Sequence, residues 1–321
     1  MKKIVFMGTP DFAVPILEAL INQEDYQIVG VVTQPDRPVG RKRRLKPTPV
    51  KEVALAHDLP VYQPEVIGKD KEVADLLAED IDLIITAAYG QFLPERLLQL
   101  PTYGAINVHA SLLPKYRGGA PVHYALWNGD QKTGVTIMRM VKEMDAGDII
   151  AVREFPISTE AIVEELFADL SQLGRDLLID TLPEFFAGTI EEIPQDHHLA
   201  IVSPNITREQ EQIDWTQSAT QIHNHIRAMN SWPVAHTFMN GDRWKLWRSQ
   251  VMDATTDKAP GTVITIQKKP AQFQVACGEG TVLALTELQP AGKKAMDVAS
   301  FINGGSGGVH VGDQFSNQAA K

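Results

Sequence analysis

The stretch Lys3-Ile-Val-Phe-Met-Gly-Thr-Pro-Asp11 decides the fold class of this chain. Its apolar half, Lys3–Met7, is typical of a buried strand, and Asp11 is placed to cap a helix over Phe12–Ile21. A second apolar strand is expected over Tyr26–Thr33. Strand, turn, helix and strand in this order predict an α/β domain built on a doubly wound parallel sheet. The turn holds a single glycine, so the G-x-G-x-x-G dinucleotide fingerprint is absent and a nicotinamide-dependent dehydrogenase is disfavoured.

The composition is typical of a globular protein with two domains. The chain has 321 residues, of which 44% are hydrophobic and 22% charged. The single cysteine, Cys277, excludes an intramolecular disulfide and a cysteine-rich metal site. The first residues do not have the pattern of a secretion signal, and no apolar run is long enough to span a bilayer. We therefore expect a cytoplasmic protein that does not associate with a membrane.

The pattern of the sequence changes after residue 192. Residues 193–206 are irregular and contain prolines, and we expect them to form a linker. One helix, Ser218–Met229, then precedes short strands separated by glycine- or proline-bearing turns, which favours a small β-barrel. The predicted domains are therefore residues 1–192 and 207–321. The expected strands of the second domain are Ala235–Met239, Trp244–Gln250, Gly261–Ile266, Gln272–Ala276 and Val282–Gln289.

A proline-rich loop is predicted at residues 34–49 of the first domain. Its four prolines exclude a regular helix or a central strand. Five cations within six residues stand out against a net charge of −10. The residues alone leave two interpretations equally open: a solvated mobile loop, or an arm that binds phosphates. The cations are Arg41, Lys42, Arg43, Arg44 and Lys46.

The candidate functional site follows the apolar strand Tyr103–Ile106. Asn107 and His109 alternate on an extended backbone, so their side chains point to the same side. In an open parallel sheet, ligands bind outside the carboxyl ends of the strands. The chain then turns sharply through Ser111-Leu-Leu-Pro114, and the glycines that follow allow a close approach of the backbone. A polar strand end beside an ordinary turn is the simpler alternative.

Other chemistries find little support in the sequence. His223 and His225 face different sides of a helix, and neither an H-E-x-x-H nor a C-x-x-C pattern occurs, so no metal site is expected. Cys277 is expected in the core. Trp244 and Trp247 are candidates for stacking on nucleic-acid bases. Their odd spacing places them on opposite faces of a strand, and a core position is favoured for one of them.

Asn107 and His109 therefore remain, together with Asp145 in the acidic loop 142–148. An amide donor, an imidazole and a carboxylate suit acyl transfer to an amine without a covalent enzyme intermediate. The carbonyl oxygen of the donor becomes an oxyanion as the amine attacks, and Asn107 and a cationic His109 can both stabilise it. A nearby carboxylate would orient His109 and help to remove the proton of the amine through a water molecule.

Three motifs carry a resemblance to a known family. Asn107-Val-His109 is followed by Ser111-Leu-Leu-Pro-Lys-Tyr-Arg-Gly-Gly-Ala-Pro121 and by Met144-Asp-Ala-Gly-Asp148. In these motifs the chain resembles the 10-formyltetrahydrofolate-dependent formyltransferases. Three further stretches are similar to the members of that family that formylate methionyl initiator tRNA. They are Phe6-Met-Gly-Thr-Pro-Asp-Phe-Ala13, Thr33-Gln-Pro-Asp-Arg-Pro38 and Leu288-Gln-Pro-Ala-Gly-Lys-Lys-Ala295.

The resemblance implies a Rossmann-like N-terminal domain that binds 10-formyltetrahydrofolate, and a C-terminal β-barrel domain that helps to bind tRNA. We expect a monomeric enzyme that formylates the methionine of initiator Met-tRNA without a metal. The resemblance assigns catalysis to Asn107, His109 and Asp145. It assigns contact with the folate to Ser111, Leu112, Leu113 and Pro114. It assigns contact with the acceptor end of the tRNA to the loop residues Arg41, Lys42, Arg43 and Arg44.

Two alternatives stay open. The first is a sister formyltransferase that acts on a small amine, such as glycinamide ribonucleotide or an amino sugar nucleotide. It is disfavoured because a small substrate needs neither the second domain nor the basic loop. The second alternative is a catalytically inert tRNA-binding protein on the same scaffold, for which replacing Asn107 or His109 would leave function unchanged.

Overall fold

The computed structural model describes residues 1–39 and 44–316, which form two compact units. The first unit consists of Met1–Pro121, Lys132–Pro156 and Phe167–Pro204. The second unit consists of Val122–Gln131, Ile157–Leu166 and the residues from Asn205 onward. The domain limits expected at residues 192 and 207 stay a prediction.

The central strands of the larger sheet in the first unit are apolar segments that are largely buried. Every residue of the strand Leu83–Ala87 is buried, as is typical of a parallel sheet covered by helices. In chain order the strands are β1 (Lys2–Gly8), β2 (Tyr26–Val32), β3 (Arg37–Val39), β4 (Arg44–Lys46), β5 (Val61–Tyr62), β6 (Leu83–Ala87), β7 (Ala105–His109), β8 (Lys115–Arg117), β9 (Lys132–Arg139), β10 (Ile149–Pro156) and β11 (Ile201–Val202).

A seven-stranded sheet organises the first unit, in the order β10-β9-β7-β6-β1-β2-β5. Five consecutive strands of this sheet, β7-β6-β1-β2-β5, are parallel to one another. Strands β9 and β10 extend the sheet beyond β7 in antiparallel pairing. The strand order reverses at β1, which lies between β2 and β6 and therefore marks the topological switch point of the sheet. This arrangement confirms the predicted Rossmann-like, doubly wound parallel sheet.

The helices expected at Phe12–Ile21 and Ser218–Met229 are present, with ends within two residues of the predicted ones. No helix in the ranges 1–39 and 44–316 is long and apolar enough to cross a membrane. In chain order the helices are α1 (Val14–Ile21), α2 (Pro49–Ala56), α3 (Lys71–Leu77), α4 (Glu95–Leu98), α5 (Pro121–Trp127), α6 (Val163–Ala187), α7 (Ala219–Ala228) and α8 (Val298–Asn303).

Two helix ends differ from the sequence-based expectations. Asp11 does not cap α1, because it begins a short 3-10 turn and the helix starts only at Val14 without a side-chain cap. Leucines at helical spacing predict a helix from about Ile162 to Thr181 that Pro183 stops, but α6 continues to Ala187. A proline inside a helix removes one backbone hydrogen bond and crowds the preceding turn. Burial of Phe185, which is 5% exposed, offsets that cost.

The basic loop begins and ends as a small hairpin outside the main sheet. Strands β3 and β4 pair with each other in antiparallel register. The hairpin base is fixed by Asp36, whose carboxylate accepts hydrogen bonds from Lys51 and Gln63, each at 2.7 Å. These bonds hold the pKa of Asp36 below its usual range. Arg44 is exposed on β4, whereas Arg41, Lys42 and Arg43 lie outside the described residues.

The second unit is built on one curled antiparallel sheet, in the order β14-β15-β16-β13-β12-β18, with β17 paired to β16. The backbone N–H of Val263 donates to the carbonyl oxygen of Asp313 at 2.8 Å, and that of Phe315 donates to Gly261 at 2.9 Å. The two ends of the strand order therefore meet, which confirms the smaller, barrel-like β domain. The strands are β12 (His236–Met239), β13 (Asp242–Thr255), β14 (Val263–Lys268), β15 (Ala271–Ala276), β16 (Thr281–Gln289), β17 (Met296–Asp297) and β18 (Phe315–Ser316).

The core of the second unit lies inside this curled sheet and under α7 and α8. Trp244 is 5% exposed and packs edge-on against Phe301 and Phe315. Trp247, three residues later, is only half-buried. The odd spacing of the two tryptophans therefore does separate a core residue from one nearer the surface, as expected.

Candidate active site

Asn107 and His109 lie at the carboxyl end of β7, one strand beyond β6 in the parallel part of the sheet. They are two residues apart on the strand, so they share one side of it. Asn107 is half-buried, and His109 is 6% exposed. The strand end therefore places an amide and an imidazole together at the edge of the sheet where ligands bind in this fold.

The orientation of the Asn107 amide is set by the neighbouring strand. Thr86 on β6 is the register partner of Asn107, and its hydroxyl donates to Asn107 Oδ1 at 2.9 Å. Thr86 is 3% exposed, so this hydrogen bond is sheltered from water. Because the amide oxygen is engaged, the NH₂ group turns the other way, and it has no hydrogen-bond partner among residues 1–39 and 44–316. Asn107 thus presents a donor to the space beside the strand end.

His109 has a different neighbour at each ring nitrogen. Its Nε2 lies 2.9 Å from the carbonyl oxygen of Tyr116. A carbonyl only accepts, so Nε2 carries the proton. Its Nδ1 lies 3.8 Å from Oδ2 of Asp145. The structure therefore brings together the histidine and the carboxylate that are more than thirty residues apart in the chain.

Asp145 is itself held by the backbone of the turn that follows His109. The N–H of Gly118 donates to Asp145 Oδ2 at 2.8 Å. Gly118 has a φ angle of +112°, and a Cβ atom at this position would lie 2.8 Å from the carbonyl oxygen of Ser203. Only glycine fits that backbone without strain. Gly118 therefore allows the turn to approach the carboxylate closely.

The Ser111–Pro114 turn is stabilised from within. Ser111 is fully buried, and its hydroxyl donates to the carbonyl oxygen of Lys115 at 2.8 Å. The hydroxyl of Thr136 donates to the Ser111 carbonyl at 2.7 Å and accepts from the N–H of Leu113 at 3.1 Å. The Ser111 side chain thus shapes the turn. Leu112 and Pro114 are half-buried and Leu113 is 6% exposed, and their contact with a folate stays a prediction.

Tyr89 follows β6, at the same end of the sheet. Its ring is 3% exposed, and its hydroxyl has no hydrogen-bond partner among the described residues. Burial raises the pKa of Tyr89 above its usual range. Its carbonyl oxygen accepts from the hydroxyl of Thr9, which follows β1, at 2.8 Å. The chain segments after β1 and β6 are therefore tied together at the switch point of the sheet.

Metal and thiol chemistry find no support in the described part of the chain. No group of three or more His, Cys, Asp or Glu residues is arranged there to hold a metal ion. Cys277 is 1% exposed, and burial raises the pKa of its thiol to about 12. A thiol that stays protonated at neutral pH is a poor nucleophile. The core position expected for Cys277 is confirmed.

Several residues that shape this site are not predicted from the sequence. Thr86 and Thr136 belong to the two strands that flank β7 in the sheet, so their contacts depend on the strand register. Thr86 is nevertheless a polar residue within an apolar strand, and that pattern is a usable signal. Gln195 donates to the carbonyl oxygens of Asp145 and Gly147. Nothing in its irregular local sequence indicates such a role.

The sequence matches one family over most of its length. Residues 1–182 match the family described as formyl transferase, and residues 205–306 match the formyl transferase C-terminal domain. A methionyl-tRNA formyltransferase from Enterococcus faecalis is 55% identical over 304 residues, which cover 95% of this chain and 96% of that protein. A methionyl-tRNA formyltransferase from Latilactobacillus sakei is 53% identical over 321 residues, the full length of both chains.

Solved structures of similar fold are more distant in sequence. An N-formyltransferase from Helicobacter canadensis, in complex with folinic acid and dTDP-3-aminofucose, has a TM-score of 0.68 at 17% identity. The match covers 90% of this chain and 100% of that one. HypX from Aquifex aeolicus, in complex with tetrahydrofolic acid, has a TM-score of 0.60 at 18% identity, covering 95% of this chain and 48% of HypX. At these identities the likeness concerns the fold.

Proposed function

The chain belongs to the formyltransferase family, and we propose that it formylates the α-amino group of methionine on initiator Met-tRNA. The formyl donor is 10-formyltetrahydrofolate. The relatives that are more than half identical to the chain are named for methionyl-tRNA, which favours this acceptor over a small amine. The product serves translation initiation.

One observation carries the assignment of the active site. The turn after β7 and the loop that carries Asp145 bring a carboxylate to 3.8 Å from the imidazole of His109. The amide donor of Asn107 lies on the same side of the same strand, turned away from Thr86. We assign Asn107, His109 and Asp145 as the catalytic set, because amide, imidazole and carboxylate together meet the charge requirements of formyl transfer.

The reaction needs a stabilised oxyanion and one proton transfer. The amino nitrogen of methionine attacks the formyl carbon, and the electrons of the C=O bond move to oxygen. The Asn107 NH₂ group and the His109 imidazole stabilise that oxygen, and removal of one such donor typically costs about 10²–10³-fold in rate. The bond between the formyl carbon and N10 then breaks. The proton lost by the amine ends on N10, with Asp145 placed to assist through a water molecule.

The folate is assigned to the Ser111–Pro114 turn. The turn is held rigid by the Thr136 hydroxyl and by the buried hydroxyl of Ser111. Leu112 and Pro114 keep part of their apolar surface accessible. A rigid, partly apolar edge next to the catalytic strand end suits the flat ring system of a folate, since ligand sites are mostly apolar with a few placed polar groups.

The tRNA is assigned to the hairpin formed by β3 and β4 and to the second domain, residues 207–321. Arg44 is exposed on β4, next to Arg41, Lys42 and Arg43 in the chain. Cations on an anchored hairpin suit a phosphate backbone, and binding through them weakens as salt rises because counterions are released. We place the enzyme in the cytoplasm, where initiator tRNA is used, and expect it to act as a monomer.

The acceptor is tested with labelled 10-formyltetrahydrofolate and purified enzyme. We expect rapid transfer to initiator Met-tRNA and none to glycinamide ribonucleotide or to an amino sugar nucleotide. Transfer to a small amine, with none to Met-tRNA, would contradict the proposed acceptor while leaving the family assignment intact.

The role of the hairpin is tested with Arg44→Glu, alone and combined with charge reversal of residues 41–43. We expect KM for Met-tRNA to rise and its salt dependence to flatten, because fewer phosphates are neutralised. Lys71→Glu on α3 is the matched control, since Lys71 is an exposed cation outside the hairpin. Equal effects of Arg44→Glu and Lys71→Glu would indicate that the hairpin is a solvated loop without a specific role in tRNA binding.

A further inference from the structure

Residues 193–203, which are most of the segment expected as a linker, are bound to both loops around His109. Its first part pairs with the start of β10: the backbone groups of Ile193 and Ile149 exchange hydrogen bonds of 2.8 and 2.9 Å. Its last part pairs with the turn after His109, where β11 runs parallel to β8 and the N–H of Ser203 donates to the Arg117 carbonyl at 2.7 Å. The segment therefore spans the two loops that position the carboxylate.

Gln195 lies in the middle of this segment and is 6% exposed. Its Nε2 donates to the carbonyl oxygen of Asp145 at 2.9 Å and to that of Gly147 at 2.7 Å. Its Oε1 accepts from Arg117, from Nε at 3.1 Å and from Nη2 at 2.7 Å. A glutamine amide has two N–H donors and two acceptor lone pairs. All four are used, and each one is directed at a loop that borders the active site.

The two loops joined by Gln195 also supply the donor and the acceptor of the hydrogen bond that holds the Asp145 carboxylate. Asp145 contributes the carboxylate, and Gly118, next to Arg117 in the chain, contributes the N–H that binds it at 2.8 Å. Gln195 therefore links the backbone of Asp145, which accepts this hydrogen bond, to Arg117, which precedes the donor Gly118 in the chain. A small shift of either loop would change the 3.8 Å separation between Asp145 Oδ2 and His109 Nδ1.

We propose that Gln195 is a positioning residue for formyl transfer, which fixes the Asp145 carboxylate against His109 by joining the Asp145–Gly147 loop to Arg117. This role rests on the proposed catalytic set. It accounts for a nearly buried amide whose partners are two backbone carbonyls of one short loop. It also accounts for the φ angle of +50° at Asp145, because a left-handed conformation at a residue other than glycine persists only where the surroundings fix it.

The first test is Gln195→Met, which keeps the length of the side chain and removes all four hydrogen bonds. We expect kcat to fall about 10–100-fold, because a displacement of about 1 Å in a catalytic group can cost 10²-fold. KM for 10-formyltetrahydrofolate and for Met-tRNA should change by less than about threefold, since every hydrogen bond of the Gln195 amide is made within the protein. Asp196→Ala is the matched control. Asp196 is adjacent but exposed, and its replacement should leave kcat unchanged.

A double-mutant cycle separates positioning from general loosening of the fold. If Gln195 acts through the Asp145 carboxylate, Gln195→Met should cost less than about threefold in an Asp145→Asn background, because the group that it positions has already lost its charge. Multiplicative losses in the double variant would overturn the proposal. A wild-type value of kcat for Gln195→Met would overturn it as well.

A second variant covers the case in which Gln195→Met does not fold. Gln195→Glu keeps the acceptor for Arg117 but places oxygen against the carbonyls of Asp145 and Gly147, so kcat should again fall at least tenfold with folded protein confirmed by its thermal transition. An unchanged kcat for Gln195→Glu would contradict the proposal. If wild-type enzyme formylates a small amine and not Met-tRNA, the proposed acceptor fails, and the same cycle measured with that amine still decides the role of Gln195.

Discussion

His109 in the first unit and His225 in the second are buried to the same degree, each 6% exposed. In both rings Nε2 lies next to a backbone carbonyl, that of Tyr116 at 2.9 Å and that of Gln210 at 2.7 Å. The remaining neighbours differ. His109 faces the Asp145 carboxylate, whereas the ring of His225 stacks on Trp127 with the centroids 4.6 Å apart and an interplanar angle of 9°.

That difference separates a histidine suited to catalysis from one suited to packing. Burial lowers the pKa of His225 to about 4, with a smaller contribution from the charge of His236. Burial, together with the positive charges of Arg243 and Lys245, lowers the pKa of His236 to about 4 as well. Both rings are therefore neutral at neutral pH. The two histidines share residue type, burial and a carbonyl partner, so these features do not identify a catalytic ring. His109 differs from His225 in having a carboxylate beside its second ring nitrogen.

The largest expected effect is that of removing the His109 imidazole from the proposed catalytic set. His109→Ala should lower kcat about 10²–10³-fold, because the oxyanion loses a hydrogen-bond donor. His225→Phe, which keeps a ring against Trp127, should leave kcat within about twofold of wild type. Steady-state formylation of Met-tRNA measures both. Equal losses in the two variants would show that His109, like His225, mainly supports the fold.

Removing the charge beside His109 should have a smaller effect than removing the ring. Asp145→Asn keeps an oxygen that accepts from the Gly118 N–H but loses the carboxylate. We expect kcat to fall about 10–100-fold, as is typical when a group that assists proton transfer is lost. KM for both substrates should change little. A wild-type rate would mean that the carboxylate, the feature that distinguishes His109 from His225, is not needed.

Thr86→Val tests whether the orientation of the Asn107 amide matters. Valine has nearly the shape of threonine but lacks the hydroxyl that donates to Asn107 Oδ1. The amide is then free to turn, and we expect kcat to fall about 3–10-fold, since a neutral hydrogen bond contributes about 1 kcal/mol. Thr136→Val is a poor comparison because it also loosens the Ser111–Pro114 turn. Thr133→Val is the better control and should retain the wild-type rate. Thr133 lies on β9, as Thr136 does, and is 3% exposed.

The smallest effect concerns the stability of the second unit. Unfolded histidine binds a proton below about pH 6.5, whereas native His225 and His236 do so only near pH 4. The free energy of unfolding is therefore fully retained above about pH 6.5 and is lost progressively as the pH falls towards 4. Each histidine contributes a slope of at most about 1.4 kcal/mol per pH unit.

His225→Phe checks this account of the second unit. The variant should be destabilised by about 1 kcal/mol at pH 7, because the hydrogen bond to Gln210 is lost. Its free energy of unfolding should depend less steeply on pH between 6.5 and 4. Urea unfolding at pH 7.0 and 5.0 gives both values. An identical pH dependence in wild type and variant would mean that His225 is not a buried neutral ring.

The sequence predicts the sheet and one half of the site well, for identifiable reasons. Apolar runs locate β1, β2 and β7, and alternation along β7 places Asn107 and His109 on one side. Asp145 belongs to a distant loop, so chemical reasoning and the family resemblance link it to His109, whereas no local pattern does. Thr86 and Gln195 are fixed by strand register and by the path of an irregular segment, neither of which local patterns encode. Pro183 misleads because burial of Phe185 outweighs a local helix-breaking preference.

We propose that formyl transfer takes place at the end of β7. The most direct test is the single-turnover rate of formyl transfer to initiator Met-tRNA by Asn107→Ala, with enzyme in excess and saturating 10-formyltetrahydrofolate. We predict a rate constant about 10²–10³-fold below wild type, with the Kd for Met-tRNA within about twofold of the wild-type value. A rate constant within about threefold of wild type would contradict the assignment of the active site.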